Sequence, residues 1–93
     1  MNTAATTYRR SHRKPTAAEM ARRIEGAAEQ RNALNAAARA IEALEPAGDV
    51  ARDTYAQEAH RLYRDAEEMD REVVILHEQA LDLGYTLGQM GLA

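Results

Sequence analysis

Cysteine, phenylalanine and tryptophan are absent from the 93 residues, and only Pro15 and Pro46 interrupt the chain with proline. The missing thiols exclude disulfides, thiolate metal sites and cysteine nucleophiles together. No apolar run approaches the roughly 20 residues that span a bilayer, the longest being Val73-Val74-Ile75-Leu76, so no membrane role is expected. The start of the chain lacks the apolar stretch of a secretory signal, and its acid-free Thr/Arg composition shows no amphipathic face of the kind a transit peptide carries. A cytoplasmic address is the expectation. Val, Ile and Thr never alternate with polar residues, which removes half-buried strands.

What is present is alanine. Hydrophobic residues make up 45% of the chain and alanine dominates them, the best helix former and the smallest core filler. Such a sequence predicts long helices in close contact, in a single all-α domain. A chain of this length buries a modest share of its surface, so a thin fold is often completed by self-association. Eleven arginines accompany the single Lys14, a bias typical of GC-rich coding and suggestive of a bacterial or phage source.

Charge divides the chain into regions. Residues 1–14 carry Arg9, Arg10, Arg13 and Lys14 with no acid, whereas residues 48–93 carry ten acids against four arginines. The basic arm has no helical periodicity and reads as mobile unless a partner orders it. A hairpin is expected over 15–84, followed by an apolar, glycine-containing tail over 85–93 that either stays loose or folds back.

Thr16 with Glu19 three residues on forms a capping-box pattern. From there Met20, Ile24, Ala27, Arg31, Leu34, Ala38 and Ile41 follow alternating steps of four and three, widened by Ala28, Ala37 and Leu44, and predict a helix over 16–45. Glu45-Pro46-Ala47-Gly48-Asp49 is a break, with Asp49, or Thr54 with Gln57, available to cap the next helix. The second helix, over 49–83, carries the cleaner repeat: Tyr55, Ala59, Leu62, Ala66, Met69, Val73, Leu76, Ala80 and Leu83. The short connection makes the pair an antiparallel, coiled-coil-like hairpin of rods roughly 45 to 52 Å long at 1.5 Å per residue. Glu19 with Arg23, Arg61 with Asp65 and Glu67 with Arg71 are helix-spaced pairs of the kind that line solvated faces.

Enzymatic chemistry is not expected. His12, His60 and His77 are too dispersed to hold a metal, His77-Glu78 is not followed by a second histidine at metalloprotease spacing, and Gly84-Tyr85-Thr86-Leu87-Gly88 lacks the lysine and strand of a phosphate loop. No cofactor site is read. Arg31 occupies a core slot, where its length favours snorkelling to water over a register-fixing pair with an acid across the interface.

Three surfaces remain as candidates. Tyr8, Arg9, Arg10, Arg13 and Lys14 could meet nucleic acid, the cations neutralising phosphate and the tyrosine stacking on a base. Asp65, Glu67, Glu68, Asp70 and Glu72 form a negative surface on the second helix that would steer a basic partner protein, such as one that itself binds nucleic acid. Tyr63, Met69, Val73, Val74, Ile75, Leu76 and Leu81 supply more apolar surface than one hairpin partner covers. That excess implies an interface: a homodimer completing a four-helix bundle, or an obligate complex with another protein. A small Arg- and Ala-rich helical hairpin with an acidic face resembles, in style and through no motif, phage- and plasmid-encoded modulators, including inhibitors of bacterial defence systems. The functional expectation is a non-enzymatic interaction module that occludes or bridges a partner. A nucleic-acid-associated regulator and a structural subunit of a larger assembly are the alternatives.

Overall fold

The structure, a computed structural model, describes residues 13–92 and is all-helical over them, with no strand. Two helices, α1 (Ala17–Glu42) and α2 (Asp49–Asp82), pack on each other. The early part of α1 shares a core with the late part of α2, and the late part of α1 with the early part of α2, so they run antiparallel.

The ends of the helices obey local chemistry. Thr16 is the N-cap of α1, its hydroxyl accepting the Glu19 amide at 3.1 Å. Only half of the capping box forms, because the Glu19 carboxylate instead meets the Arg13 guanidinium at 3.0 Å. The start of α2 departs from expectation. Gly48, with φ 151°, is its N-cap and gives no side-chain cap. Asp49 already lies inside the first turn and pairs with Arg52 at 2.8 Å. Thr54 lies within the helix, its hydroxyl donating to the Val50 carbonyl. At the other boundary α1 stops at Glu42, three residues early. Pro46 disfavours helical backbone at Glu45, and the last turn tightens with the Leu44 amide bonding the Ile41 carbonyl. Leu44 therefore leaves the core stripe and is 52% exposed.

Alanine supplies much of the interface: Ala21, Ala27, Ala38, Ala59, Ala66 and Ala80 are all buried. Side chains this small let helix axes approach closely but leave little volume to fill space beyond the seam. Larger residues gather in two clusters. Met20, Ile24 and Leu76 join Ala21, Ala27 and Ala80 at the open end. Ala38, Ala59 and Leu62, flanked by Leu34, Ile41 and Tyr63, lie toward the turn. Every position of the α2 repeat is buried or half-buried.

Between the clusters sits Arg31. Its guanidinium reaches across to Asp70 at 2.8 Å and also bonds Asn32 at 3.2 Å. The arginine does lie at the edge of the seam, but the cross-helix pair replaces the solvent-directed snorkel that its length suggested.

The tail folds back. Gly84 turns the chain at φ 90°, a conformation that favours glycine, and Thr86 and Gln89 bond each other's amides through their side chains. This short turn delivers Met90, 5% exposed, into the open-end cluster, with Tyr85 and Leu92 packed beside it. The Tyr85 hydroxyl donates to the Pro15 carbonyl, and the Lys14 ammonium lies 5.1 Å from the Tyr85 ring centre. The start of α1 and the tail are thus clasped together.

Candidate interaction surface

The apolar residues of α2 divide by direction. Leu76 is buried, while Met69, Val73 and Tyr63 are half-buried against the hairpin cores, so these four serve the fold itself. Val74, Ile75 and Leu81 do not: they are 52%, 45% and 60% exposed. The folded-back tail covers the seam between the helices and leaves these three open.

Position on the helix sorts them further. The core stripe Leu62, Ala66, Met69, Val73, Leu76 and Ala80 has a neighbour displaced by one residue: Tyr63, Glu67, Asp70, Val74, His77 and Leu81, at steps of four and three. Two contacts locate this flank on the side that looks over α1. The Tyr63 hydroxyl donates to the Glu42 carboxylate, and Asp70 accepts from Arg31. Val74 and Leu81 continue the flank toward the open end, whereas Ile75 points away from it.

Two open grooves run along the same side. One, of about 560 Å³, lies beside the turn and is lined by Ile41, Leu44, Pro46, Tyr55, His60 and Tyr63 among others. The second, also about 560 Å³, is polar, with Arg31, Asn32, Asn35, Glu67 and Asp70 in its walls. Tyr63 lines both, so the two grooves adjoin at its side chain and make a furrow interrupted there. Sequence reading missed the turn-end groove. Its origin is the early stop of α1, which drops Leu44 and Pro46 beside Tyr55, and only the proline hinted at that.

The acidic residues do not share one direction. Glu67 and Asp70 lie on the groove flank. Glu68, seven residues before Ile75, faces outward with it, and Asp65 and Glu72 lie seven apart on the opposite flank. Asp70 is taken by Arg31, and Asp65 meets Arg61 at 3.3 Å. Among the described residues Glu67, Glu68 and Glu72 are exposed and make no ion pair. The spacing-based pairs Glu19 with Arg23 and Glu67 with Arg71 do not form. Arg23 turns to the Met20 sulfur instead.

These contacts set the local electrostatics. The bond to Glu42 holds the Tyr63 phenol above its ordinary pKa, since an ionised phenolate would face a carboxylate. The Glu58 carboxyl is held below its usual range by the hydrogen bonds Arg61 donates to it. Within the described residues no three His, Asp or Glu side chains gather where a metal ion could be held, and no helix is long and apolar enough to cross a membrane.

Of the basic arm, Tyr8, Arg9 and Arg10 lie outside the described residues. Arg13 and Lys14 lie within them, and both are engaged by the fold, through Glu19 and Tyr85.

In comparison with known proteins, no family model, curated protein or solved structure matches this chain.

Proposed function

We propose that this chain is a non-enzymatic helical-hairpin interaction module that binds another polypeptide along the groove side of α2. One observation carries the reading: Val74 and Leu81 stay more than half exposed on the flank that continues from the groove lining toward the open end, although the tail has folded back and buried Met90. The folded-back tail closes the open end and leaves this flank uncovered. Apolar surface that adjoins a groove and is rimmed by charge is the usual anatomy of a protein contact.

The occupant of the furrow is a helix, because the flank repeats at four-three spacing and so matches the ridges of another helix. Pairing of two hairpins into a four-helix bundle, or occlusion of a different protein, both use it in this way. Glu67 on the flank and Glu68 on the neighbouring face add negative potential, which raises the association rate of a partner with a basic stripe.

The test is cross-linking in cells that encode the chain, followed by identification of the cross-linked peptides. Wild-type chain is expected to cross-link through residues bordering Val74 and Leu81. Val74→Asp/Leu81→Asp is expected to lose those products, while an Arg22→Ala control keeps them. Cross-links that survive the aspartates, or that map to the outward side of α1, would place the interface elsewhere.

A further inference from the structure

We infer that the groove side binds a second copy of this chain, antiparallel, across a two-fold axis passing between Asp70 and Val74 of α2. The inference rests on the reading of that side as an interaction surface and names its occupant. A two-fold contact must be self-complementary: if residue i meets residue j, then j meets i. The α2 flank satisfies this about one centre. Reversed on itself there, Tyr63 comes opposite Leu81 of the second copy, and Glu67 comes opposite His77. The half-buried Tyr63 thus meets the exposed Leu81 at each end, Glu67 meets His77 inside them, and Val74 meets Asp70 at the centre. The same flank paired in parallel would set Glu67 against its own copy, a repulsive arrangement.

The side-chain geometry agrees. His77 Nδ1 donates to the Val73 carbonyl at 3.0 Å, which leaves Nε2 free, and with both ring nitrogens protonated Nε2 donates to an acid across the interface. Glu67 has no ion partner among the described residues, and Asp70, nearest the axis, is already neutralised by Arg31. Without that pairing its carboxylate would lie uncompensated against Val74 of the second copy.

An independent coincidence lies on α1. The Arg31–Asp70 and Glu42–Tyr63 contacts set the level of one helix against the other. An axis beside position 72 of α2 therefore crosses α1 within about a turn of Asn32, at 1.5 Å per residue. The flank of α1 on the groove side is Ala21, Glu25, Ala28, Asn32, Asn35, Arg39 and Glu42, one residue after its core stripe. Glu25 and Arg39 are equidistant from Asn32, so an axis at Asn32 brings Glu25 opposite Arg39 of the second copy, with Ala28, Asn32 and Asn35 about the centre. Each helix thus lies antiparallel to its own copy, and all neighbours in the resulting four-helix bundle are antiparallel.

A charge-swap cycle tests this on the full chain, with the dimer dissociation constant read from heats of dilution and helicity checked by circular dichroism. Glu67→Lys is expected to weaken the dimer about tenfold, since it removes two attractions per dimer. His77→Glu is expected to weaken it by a similar factor, since it sets two acids against each other. Glu67→Lys/His77→Glu is expected to return it to within about threefold of wild type. Additive effects in a chain that still dimerises would overturn the register. A chain that stays monomeric, yet cross-links to a different protein through Val74 and Leu81, would overturn self-pairing while the interaction surface stands. Loss of both would overturn the two readings together.

Discussion

The open end and the turn end of the hairpin belong to the same pair of helices but are closed in different ways. At the open end the alanine seam is flanked by Met20, Ile24 and Leu76, and the tail brings Met90 over it. At the turn end the buried residues are Ala38, Ala59 and Leu62, and a groove lies beside them. The contrast shows what an alanine-rich interface needs. Small side chains bring two helices together, but two cylinders in contact still leave a furrow on each side. A third element must fill it. The folded-back tail does so at one end, and nothing in the described residues of the single chain does so at the other.

The two ends should therefore respond differently to mutation. The largest effect falls on Leu76, at the centre of the open-end cluster. Leu76→Ala is expected to cost about 3–5 kcal/mol in urea unfolding. Leu62→Ala at the turn end should cost less, about 2 kcal/mol, since its surroundings are already open on the groove side. Equal losses at the two sites would remove the distinction between the ends. Met90→Ala is next, at about 2 kcal/mol, because the short tail can settle into part of the space released. It should also speed amide exchange around Tyr85, and unchanged exchange there would mean that the tail is held by the Pro15 clasp alone. Thr16→Ala removes the α1 cap and should cost about 1 kcal/mol.

The smallest effects lie at the polar waist and at Tyr63. A double-mutant cycle on Arg31 and Asp70 is expected to give about 0.2–1 kcal/mol of coupling, since Asp70 is well exposed, and the coupling should fade in high salt. At Tyr63 the phenol pKa is raised in the folded chain. Its contribution is therefore fully present below the ordinary phenol pKa and is lost as pH rises through the raised value. Tyr63→Phe should leave stability flatter than wild type on the alkaline side. An alkaline profile unchanged by the substitution would contradict the Glu42 contact.

Most of the fold was legible because it rests on periodicity. The α2 repeat from Tyr55 to Leu83 points inward throughout, and Thr16 starts α1 where its hydroxyl suggested. Misreadings occurred where two local choices competed for one group. Arg31 could reach water or Asp70, Glu19 could reach back to the cap or out to Arg13, and Asp49 could cap a helix or sit inside it. Spacing along the chain does not rank such alternatives, because the winner depends on the neighbour that tertiary packing supplies. The candidate site was legible in part. The excess of apolar residues on α2 is visible in sequence, but the split between Leu76 inside and Val74 and Leu81 outside needed the position of α1. The scatter of the acids over three directions was readable from seven-residue spacing alone.

The central claim is that the flank carrying Val74 and Leu81 contacts another polypeptide, a second copy of the chain in the first instance. Sedimentation equilibrium of the full chain over a wide concentration range tests it most directly, beside the Val74→Asp/Leu81→Asp variant at unchanged helicity. The expected result is a wild-type mass that rises toward twice that of one chain, and a variant that stays at the mass of one. A wild-type chain that remains at single-chain mass to high micromolar concentration, indistinguishable from the variant, would contradict it.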